Sequence, residues 1–371
     1  MKGCIQKKGK TYYAIIAINQ KRKWFRGGQA QKDAQRALIE TLNEINQGTY
    51  KEIPKTKFRE FSRTWLKTYA EVHVKTSTLA RYRDIINRLL IPAWGHVYLS
   101  NLTAIQIQNF LAERLKAVSP QTVSIEIGLI KGMFKHACHL GYIKVNPSEH
   151  TKRPRVTRAG IEILKPEEIA KLLAEISGRY RLAFLTCILT GLRAGELWAL
   201  RWPDIDFQAL QIDVRQSLWR GQFQTPKSKS SMRRIDIPEK LAHEIEKWRL
   251  ASRPNDQDLV FPNTQGRPAC HDNVVKRHFE PALKRAGFRH VSFHSLRHTN
   301  ASMRISAGQN IKYIQTQLGH SSIQITLDIY GHLFNDANFN REQVRLLETS
   351  LESVRASANE APLLIASASS I

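Results

Sequence analysis

The chain has 371 residues, 42% hydrophobic and 24% charged, a length that predicts two or three folded domains. Its 57 Lys and Arg against 32 Asp and Glu leave a formal net charge of +25, which predicts a polyanionic partner, nucleic acid in particular. The sequence shows no membrane span, no secretory signal and no CxxC pair among its four cysteines, so we expect no membrane partner and a reducing cytosol.

Residues 1–50 are predicted to form a three-stranded sheet backed by one helix. The β-favouring run TYYAIIAI lies between two basic segments, CIQKKGK and QKRKWFRGG, which indicates three short strands separated by turns. The segment QAQKDAQRALIETLNEINQG has apolar residues at helical spacing and ends at Gly48. Such a sheet, with lysines and Trp24 on its strands, is suited to a DNA groove. A small basic stabilising module is the alternative.

Residues 57–149 are predicted to form an all-helical domain that follows the linker TYKEIPKTK. Four segments have helical periodicity: FREFSRTWLKTYA, TSTLARYRDIINRLLIPAWG, LTAIQIQNFLAERLKA and SPQTVSIEIGLIKGMFKHACHLG. Lys75, Arg81 and Arg83 on these helices are candidates for contacts with DNA phosphates. A solvated helix face explains the same three residues.

Residues 161–352 are predicted to form a mixed α and β domain after the basic linker HTKRPRVTRAG. Helices are expected up to Leu200, strands in IDFQALQIDVRQSLW, RRIDIP and DLVF, and helices again to about Leu351. Residues 353–371 are expected to be a C-terminal tail. The predicted fold class is therefore multidomain and mainly α, with one small sheet at the N-terminus and a mixed α+β domain at the end.

Several polar residues of this last domain lie in contexts that packing alone does not explain. TGLRAGELWAL contains Arg193 with Glu196 one helical turn later, and FHSLRHT places His294 and Arg297 on one helix face. Taken singly, each has a structural explanation, such as an ion pair or a satisfied core histidine. The remaining members of the set are Lys227 and Lys229 in a turn-rich hairpin, His320 in LGH, and Tyr330 in TLDIYGH.

Together these residues suit a phosphoryl transfer. Arginines, histidines and a lysine supply charge-assisted donors for the oxygens of one phosphate, and a tyrosine hydroxyl supplies a nucleophile. The nearby acids Glu196 and Asp328 are isolated, and HACH lies within a helical pattern, so no metal site is predicted. We therefore expect a reaction that needs neither a metal nor another cofactor.

The segment from about Ile163 to Leu347 resembles the catalytic domain of the tyrosine recombinases, the phage integrase family. The family pattern, Arg, Lys, His-x-x-Arg, His or Trp, and Tyr, falls in order on Arg193, Lys227, His294, Arg297, His320 and Tyr330. Residues 57–149 resemble the family's helical core-binding domain, and residues 1–50 resemble the arm-binding domain of integrases from mobile elements. Lys229 is the alternative for the lysine. Lys227 is preferred because the segment TPKSK is similar to the corresponding sequence motif of related integrases.

The resemblance implies a role for each residue. Tyr330 would attack the scissile phosphate, form a 3′-phosphotyrosyl link and expel a 5′-hydroxyl. Arg193, Arg297 and His320 would stabilise the non-bridging oxygens, and Lys227 would protonate the leaving oxygen. His294 would help to accept the tyrosine proton or orient the phosphate, and Glu196 would orient Arg193.

These expectations describe a site-specific DNA recombinase that integrates or excises a phage or another mobile element. Its partners would be double-stranded DNA with core-type and arm-type sites, further copies of the chain in a tetramer at synapsis, and accessory DNA-bending and directionality proteins. The protein is expected to be located in the cytoplasm of a prokaryotic cell, at the nucleoid. The alternatives are a type IB topoisomerase-like enzyme, which the N-terminal module argues against, and a catalytically silent DNA-binding regulator, which the complete residue set argues against.

Overall fold

The computed structural model of the protein divides the chain into two units, Met1–Arg158 and Ala159–Ile371. It describes residues 3–18, 21–48, 50, 52–156, 160–225, 229–331, 341 and 344–352. Helices dominate these residues, in agreement with the predicted fold class. Among them, none of the helices combines the length and the apolar character that a bilayer crossing requires. All four cysteines are free thiols.

The N-terminal segment forms the predicted sheet and helix. Strands β1 (Gly3–Lys8), β2 (Thr11–Ile18) and β3 (Lys21–Gly28) pair antiparallel in that order, and helix α1 (Gln31–Asn46) packs on one face. Ala14, Ile16 and Ala34 are fully buried there. Side chains alternate along a strand, so the neighbours of Ala14 and Ile16 in β2 point to the other face of the sheet.

The other face of this sheet carries aromatic and basic side chains. In the strand register, Ile15 lies opposite Trp24 and Tyr13 lies opposite Arg26. The Tyr13 and Trp24 rings meet edge to face at 5.8 Å, and Trp24 remains 47% exposed. Arg26 is exposed as well.

The helical part of the first unit contains the four predicted segments. Its helices are α2 (Phe58–Trp65), α3 (Glu71–His73), α4 (Thr76–Ile85), α5 (Ile91–Trp94), α6 (Ala104–Ala117) and α7 (Pro120–His139). Wide π-helical turns join α2 to α3 and α4 to α5. Thr103 and Ser119 cap α6 and α7 by accepting backbone N–H bonds from Gln106 and Thr122. Apolar side chains such as Phe58, Phe61 and Phe134 fill the core.

The second unit contains helices at both ends of its sequence and two small sheets between them in the sequence. Its helices are α8 (Pro166–Ala174), α9 (Gly178–Thr190), α10 (Ala194–Trp198), α11 (Glu239–Ala251), α12 (His271–Val274), α13 (Glu280–Arg285), α14 (Ser295–Ser306), α15 (Ile311–Leu318) and α16 (Ile323–Tyr330). Its strands are β4 (Ile205–Asp206), β5 (Gln211–Val214), β6 (Ser217–Trp219), β7 (Gln222–Gln224) and β8 (Arg233–Asp236). Strands β4, β5 and β8 form one antiparallel sheet, and β6 and β7 form a hairpin.

The prediction of a strand in DLVF is wrong. Leu259 forms only an isolated bridge with Arg201, although Leu259, Val260 and Phe261 are all buried. Burial in a core and pairing in a sheet both favour apolar residues, so an apolar run of this length does not distinguish between them. The apolar run of this segment therefore reports burial in the core of the unit and not sheet pairing.

The packing of α14 against α9 places the candidate site residues. Asn300 of α14 donates to the carbonyl of Ile188 in α9 at 2.9 Å, inside a core that includes Phe184, Phe279 and Phe293. This contact holds the first turn of α14, where FHSLRHT lies, next to the end of α9, where TGLRAGEL begins. Two segments about a hundred residues apart in sequence thereby meet.

Candidate active site

Arg193 lies where α9 ends and α10 begins. Gly191 ends α9 in the left-handed conformation (φ 68°), and a Cβ atom there would lie 2.7 Å from Leu318 Cδ2, so this turn requires glycine. The backbone N–H of Arg193 donates to Glu196 Oε2 at 3.0 Å, and Arg193 Nη1 donates to Glu196 Oε1 at 2.8 Å. The Arg193 side chain is still 34% exposed, so a ligand can reach it.

Arg297, on the first turn of α14, is buried among carbonyl oxygens. Its Nη1 donates to Gly191 O at 2.6 Å and its Nη2 donates to Leu318 O at 2.5 Å. Burial, together with the charges of Arg193 and Arg233, lowers the pKa of Arg297 to about 9. The guanidinium is therefore still charged near neutral pH, and its direction is set by two backbone oxygens.

Arg233 on strand β8 is a third arginine of this network and is absent from the predicted site residues. Its guanidinium donates to both carboxylate oxygens of Glu196, at 3.3 and 3.1 Å, and to Ser231 O at 3.1 Å. Burial acts to raise the pKa of the Glu196 carboxyl, but the charges of Arg233 and Arg193 outweigh it and hold that pKa below its usual value. Glu196 thus links two arginines.

The end of helix α15 receives all three guanidinium groups. Each of its last carbonyls accepts one hydrogen bond: Gln317 O from Arg233 Nε (2.7 Å), Leu318 O from Arg297 Nη2 (2.5 Å) and Gly319 O from Arg193 Nη2 (3.2 Å). The last carbonyls of a helix have no partner in the helix and form the negative end of its dipole. The three cations are therefore held together, although like charges repel, because one helix end offers them three acceptors.

His320 and Tyr330 follow this helix end. His320 is buried, with Nδ1 at 2.9 Å from Thr326 Oγ1, and its ring lies nearly parallel to that of Tyr330 at 6.5 Å. Burial and the charges of Arg297 and Arg193 lower the pKa of His320 to about 3, so the ring is neutral. Tyr330 is 1% exposed and packs in an apolar cluster that includes Ile305 and Leu318.

One histidine of α14, His298, lies beside Tyr330, and His294, at the N-terminal end of this helix, lies beside His298. His298 Nδ1 is 2.7 Å from Tyr330 Oη, and the His294 ring lies 4.8 Å from the His298 ring. Burial, followed by the charges of His298, Arg297 and Arg193, lowers the pKa of His294 to about 4, and burial and Arg297 also lower the pKa of His298. The sequence prediction names His294 and omits His298. Its four-residue spacing from His294 puts both rings on one helix face and is the signal that could have found it.

The predicted lysine lies outside the described residues. Lys227 belongs to the segment 226–228, and of Lys229 only the backbone, in the short helix Lys229–Ser231, is described. The assignment between these two lysines stays a prediction. Strand β8, which follows Lys229 in the sequence, carries Arg233 of the arginine network.

The predicted DNA-contacting residues all lie in the first unit. Trp24, Lys75 and Arg81 are exposed, and Arg83 pairs with Glu71 at 2.6 Å on the surface. Exposure is common to a phosphate contact and to a solvated face, so these assignments stay predictions.

Two family models match the chain. Residues 162–336 match the phage integrase family, and residues 57–114 match the N-terminal SAM-like domain of phage integrases. The chain is 29% identical over 280 residues to the ICEBs1 integrase of Bacillus subtilis, an alignment that spans 71% of this chain and 76% of that protein. It is 27% identical over 368 residues to a XerC-like tyrosine recombinase of Caldanaerobacter subterraneus, which spans 88% of this chain and 94% of that protein.

Solved structures share the fold. The Tn1549 transposon integrase in complex with a circular intermediate DNA superposes with a TM-score of 0.67 at 20% identity, over 78% of this chain and 99% of that chain. A lambda integrase tetramer bound to a Holliday junction gives a TM-score of 0.60 at 19% identity, over 85% of this chain and 96% of that chain. The predicted multidomain fold is thereby confirmed. Taken with the two family models, the chain belongs to the phage integrase family and is a site-specific DNA recombinase of the tyrosine type.

Proposed function

We propose that Tyr330 is the nucleophile with which this recombinase cuts each DNA strand. Its hydroxyl gives up its proton to a neighbouring histidine as its oxygen attacks the scissile phosphorus. The bond from phosphorus to the 5′ oxygen breaks, and the DNA 3′ end stays joined to Tyr330. The leaving 5′ oxygen takes a proton from Lys227. Attack by the 5′-hydroxyl of a partner strand then rejoins the DNA and releases Tyr330. The phosphodiester energy is kept in the tyrosyl link, so ATP is not required.

The observation that carries this proposal is the positive charge around the Tyr330 hydroxyl. Burial raises the pKa of Tyr330 to about 12, and Arg297 and Arg193 act in the opposite direction, so both cations lie within electrostatic reach of the hydroxyl. Each guanidinium has five N–H donors and uses only some of them on protein oxygens, so donors remain for the non-bridging oxygens. Thr326 engages His320 Nδ1, which leaves His320 Nε2 for the same phosphate.

The first unit is proposed to hold the DNA at two kinds of site. Residues 57–149 would grip the core site around the cleavage point, and residues 1–50 would bind a separate arm-type sequence with the sheet face that carries Trp24 and Arg26. We further propose that four copies act together at synapsis with accessory DNA-bending and directionality proteins, in the cytoplasm of a prokaryotic cell at the nucleoid. The net charge of +25 supports the DNA contacts.

The experiment that tests the proposal is the capture of the covalent adduct on a nicked suicide substrate in excess EDTA. The wild-type chain should form an adduct, because the arginines meet the phosphate charge without a metal ion. Tyr330→Phe removes only the hydroxyl, so DNA binding should survive and the adduct should disappear. Tyr313→Phe is the matched control, because Tyr313 lies on α15 and donates to Asp236 on the protein surface.

Two outcomes would contradict the proposal. An adduct that persists in Tyr330→Phe would place the nucleophile elsewhere. Cleavage that requires a divalent metal would contradict the proposal that the arginines alone neutralise the phosphate charge. Relaxation of supercoiled plasmid without strand exchange would instead favour the topoisomerase alternative.

A further inference from the structure

The hydroxyl of Tyr330 makes its hydrogen bond with His298. The distance from His298 Nδ1 to Tyr330 Oη is 2.7 Å, and the two rings meet at 62° with centroids 5.6 Å apart. His298 lies one residue after Arg297 and one turn after His294, on the same face of α14 as His294. Among the described residues, His298 is therefore the histidine in hydrogen-bond contact with the reacting oxygen.

The buried hydroxyl needs a proton acceptor. A phenol attacks phosphorus well only after its proton has left or as it leaves. Tyr330 is almost fully buried, and burial raises the pKa of its hydroxyl to about 12 despite the nearby arginines. Near neutral pH the tyrosinate is thus rare, and a positioned base would increase the rate.

His298 has the charge state that such a base requires. The groups around it are Arg297, the His294 ring at 4.8 Å, Tyr330, and His320, whose own pKa is lowered in part by His298. Burial and Arg297 lower the pKa of His298, so its ring is neutral and has one nitrogen free to accept a proton. A bound phosphate adds negative charge to this cationic site and would stabilise the imidazolium that forms.

We propose that His298 is a further catalytic residue, whose Nδ1 accepts the Tyr330 proton while Tyr330 Oη bonds to phosphorus. The bond from phosphorus to the 5′ oxygen breaks in the same step, and that oxygen is protonated by the lysine. In the reverse step His298 returns the proton to Tyr330 as the tyrosyl bond breaks. The inference rests on the proposed function, since it requires Tyr330 to be the nucleophile.

The test is single-turnover cleavage of a suicide substrate with a 5′-bridging phosphorothiolate, measured against pH with the full-length chain. Sulfur leaves without a proton, so the lysine step drops out and the rate reports on the nucleophile. The wild-type rate should rise with pH as His298 loses its proton and then level off. His298→Asn keeps an acceptor oxygen near the Nδ1 position but cannot take up a proton. It should be slower at pH 7 by about 10²–10⁴-fold, the usual contribution of general base catalysis, and its rate should keep rising with pH.

His271→Asn is the matched control. His271 Nδ1 accepts from Trp198 Nε1 at 3.3 Å in the same unit, so this variant also replaces a ring acceptor by an amide. It should keep the wild-type rate and pH profile. A His298→Asn enzyme with the wild-type rate would overturn the proposal, and so would a slower enzyme that keeps the wild-type pH profile, because a packing role would change only the rate.

A second measurement does not depend on any variant. Nitrogen chemical shifts of His298 in the wild-type chain should show Nδ1 without a proton and Nε2 protonated, and a protonated Nδ1 would overturn the proposal. Adduct formation at Tyr330 tests the proposed function separately. An adduct that depends on Tyr330 but not on His298 would leave the proposed function standing and remove this inference.

Discussion

At the scale of single residues, two adjacent arginines have opposite environments. The Arg233 side chain is 3% exposed and donates to Glu196, Gln317 and Ser231, whereas the Arg234 side chain is 72% exposed and pairs with Asp213. Arg233 pairs in register with buried Val214, and Arg234 pairs with Asp213. The strand register therefore decides which arginine positions Glu196 and, through it, Arg193.

We predict that Arg233→Met strongly reduces both stability and cleavage. It leaves the buried Glu196 carboxylate with Arg193 alone, and breaking a buried ion pair costs about 3–5 kcal/mol. Arg193 should then be poorly oriented, so cleavage should fall more than core-site DNA binding. Urea denaturation and single-turnover cleavage measure the two effects.

Arg234→Met is the control for the same side-chain change. It removes an exposed ion pair, which contributes about 0–1 kcal/mol, and should keep the wild-type cleavage rate. Equal loss of cleavage in both variants would show that Arg233 has no special role in positioning Arg193.

At the scale of elements, the end of helix α15 organises the site. Three of its carbonyls hold three arginines, and Gly319 then turns the chain in the left-handed conformation (φ 64°) into His320. A Cβ atom on Gly319 would lie 2.8 Å from Arg233 Cδ. Because the Arg233 guanidinium is held by several hydrogen bonds, it cannot move away without losing some of them.

We predict that Gly319→Ala lowers the cleavage rate far more than Gly287→Ala does. Both glycines have positive φ, at 64° and 72°, so both alanines carry the strain of the left-handed conformation, about 1 kcal/mol. Only at Gly319 does the added Cβ meet another residue, since nothing lies within 4 Å of one at Gly287. Single-turnover cleavage, compared at equal loss of thermal stability, measures the difference. Similar cleavage rates in the two variants would contradict a positioning role for this turn.

At the scale of the whole molecule, the excess positive charge includes both exposed and buried side chains. The net charge of +25 is spread over both units and includes the exposed Arg26 of the N-terminal sheet as well as the buried arginines of the second unit. Surface charges of this kind set DNA affinity and its salt dependence. We propose that Arg193 and Arg297 act instead on the reacting phosphate.

We predict that Arg26→Ala weakens binding to DNA from beside the gene, where arm-type sites are expected. Loss of one phosphate contact should lower the slope of log affinity against log salt by about 1, because one fewer counterion is released. Cleavage of a short core-site substrate should not change. Arg36→Ala is the control, since Arg36 is equally basic and exposed but lies on helix α1, and equal effects of the two variants would argue against binding through the sheet.

The sequence alone determined the chemistry of this protein, because the residue types and their order do not depend on packing. The structure brings the predicted residues close together. Arg193 and Arg297 meet at the end of α15, His320 stacks near Tyr330, and His294 lies beside His298. The helices of the first unit and the N-terminal sheet followed from local periodicity, which is a short-range property of the chain.

Only the tertiary structure decided which neighbours these residues have. Arg233 and His298 join the site through strand register and through the packing of α14 against α16, which depend on contacts far apart in sequence. DLVF is buried without forming a strand for the same reason, since burial and sheet pairing both favour apolar residues and only the fold separates them. The residue types are given by the sequence itself, whereas the distances between side chains depend on long-range packing.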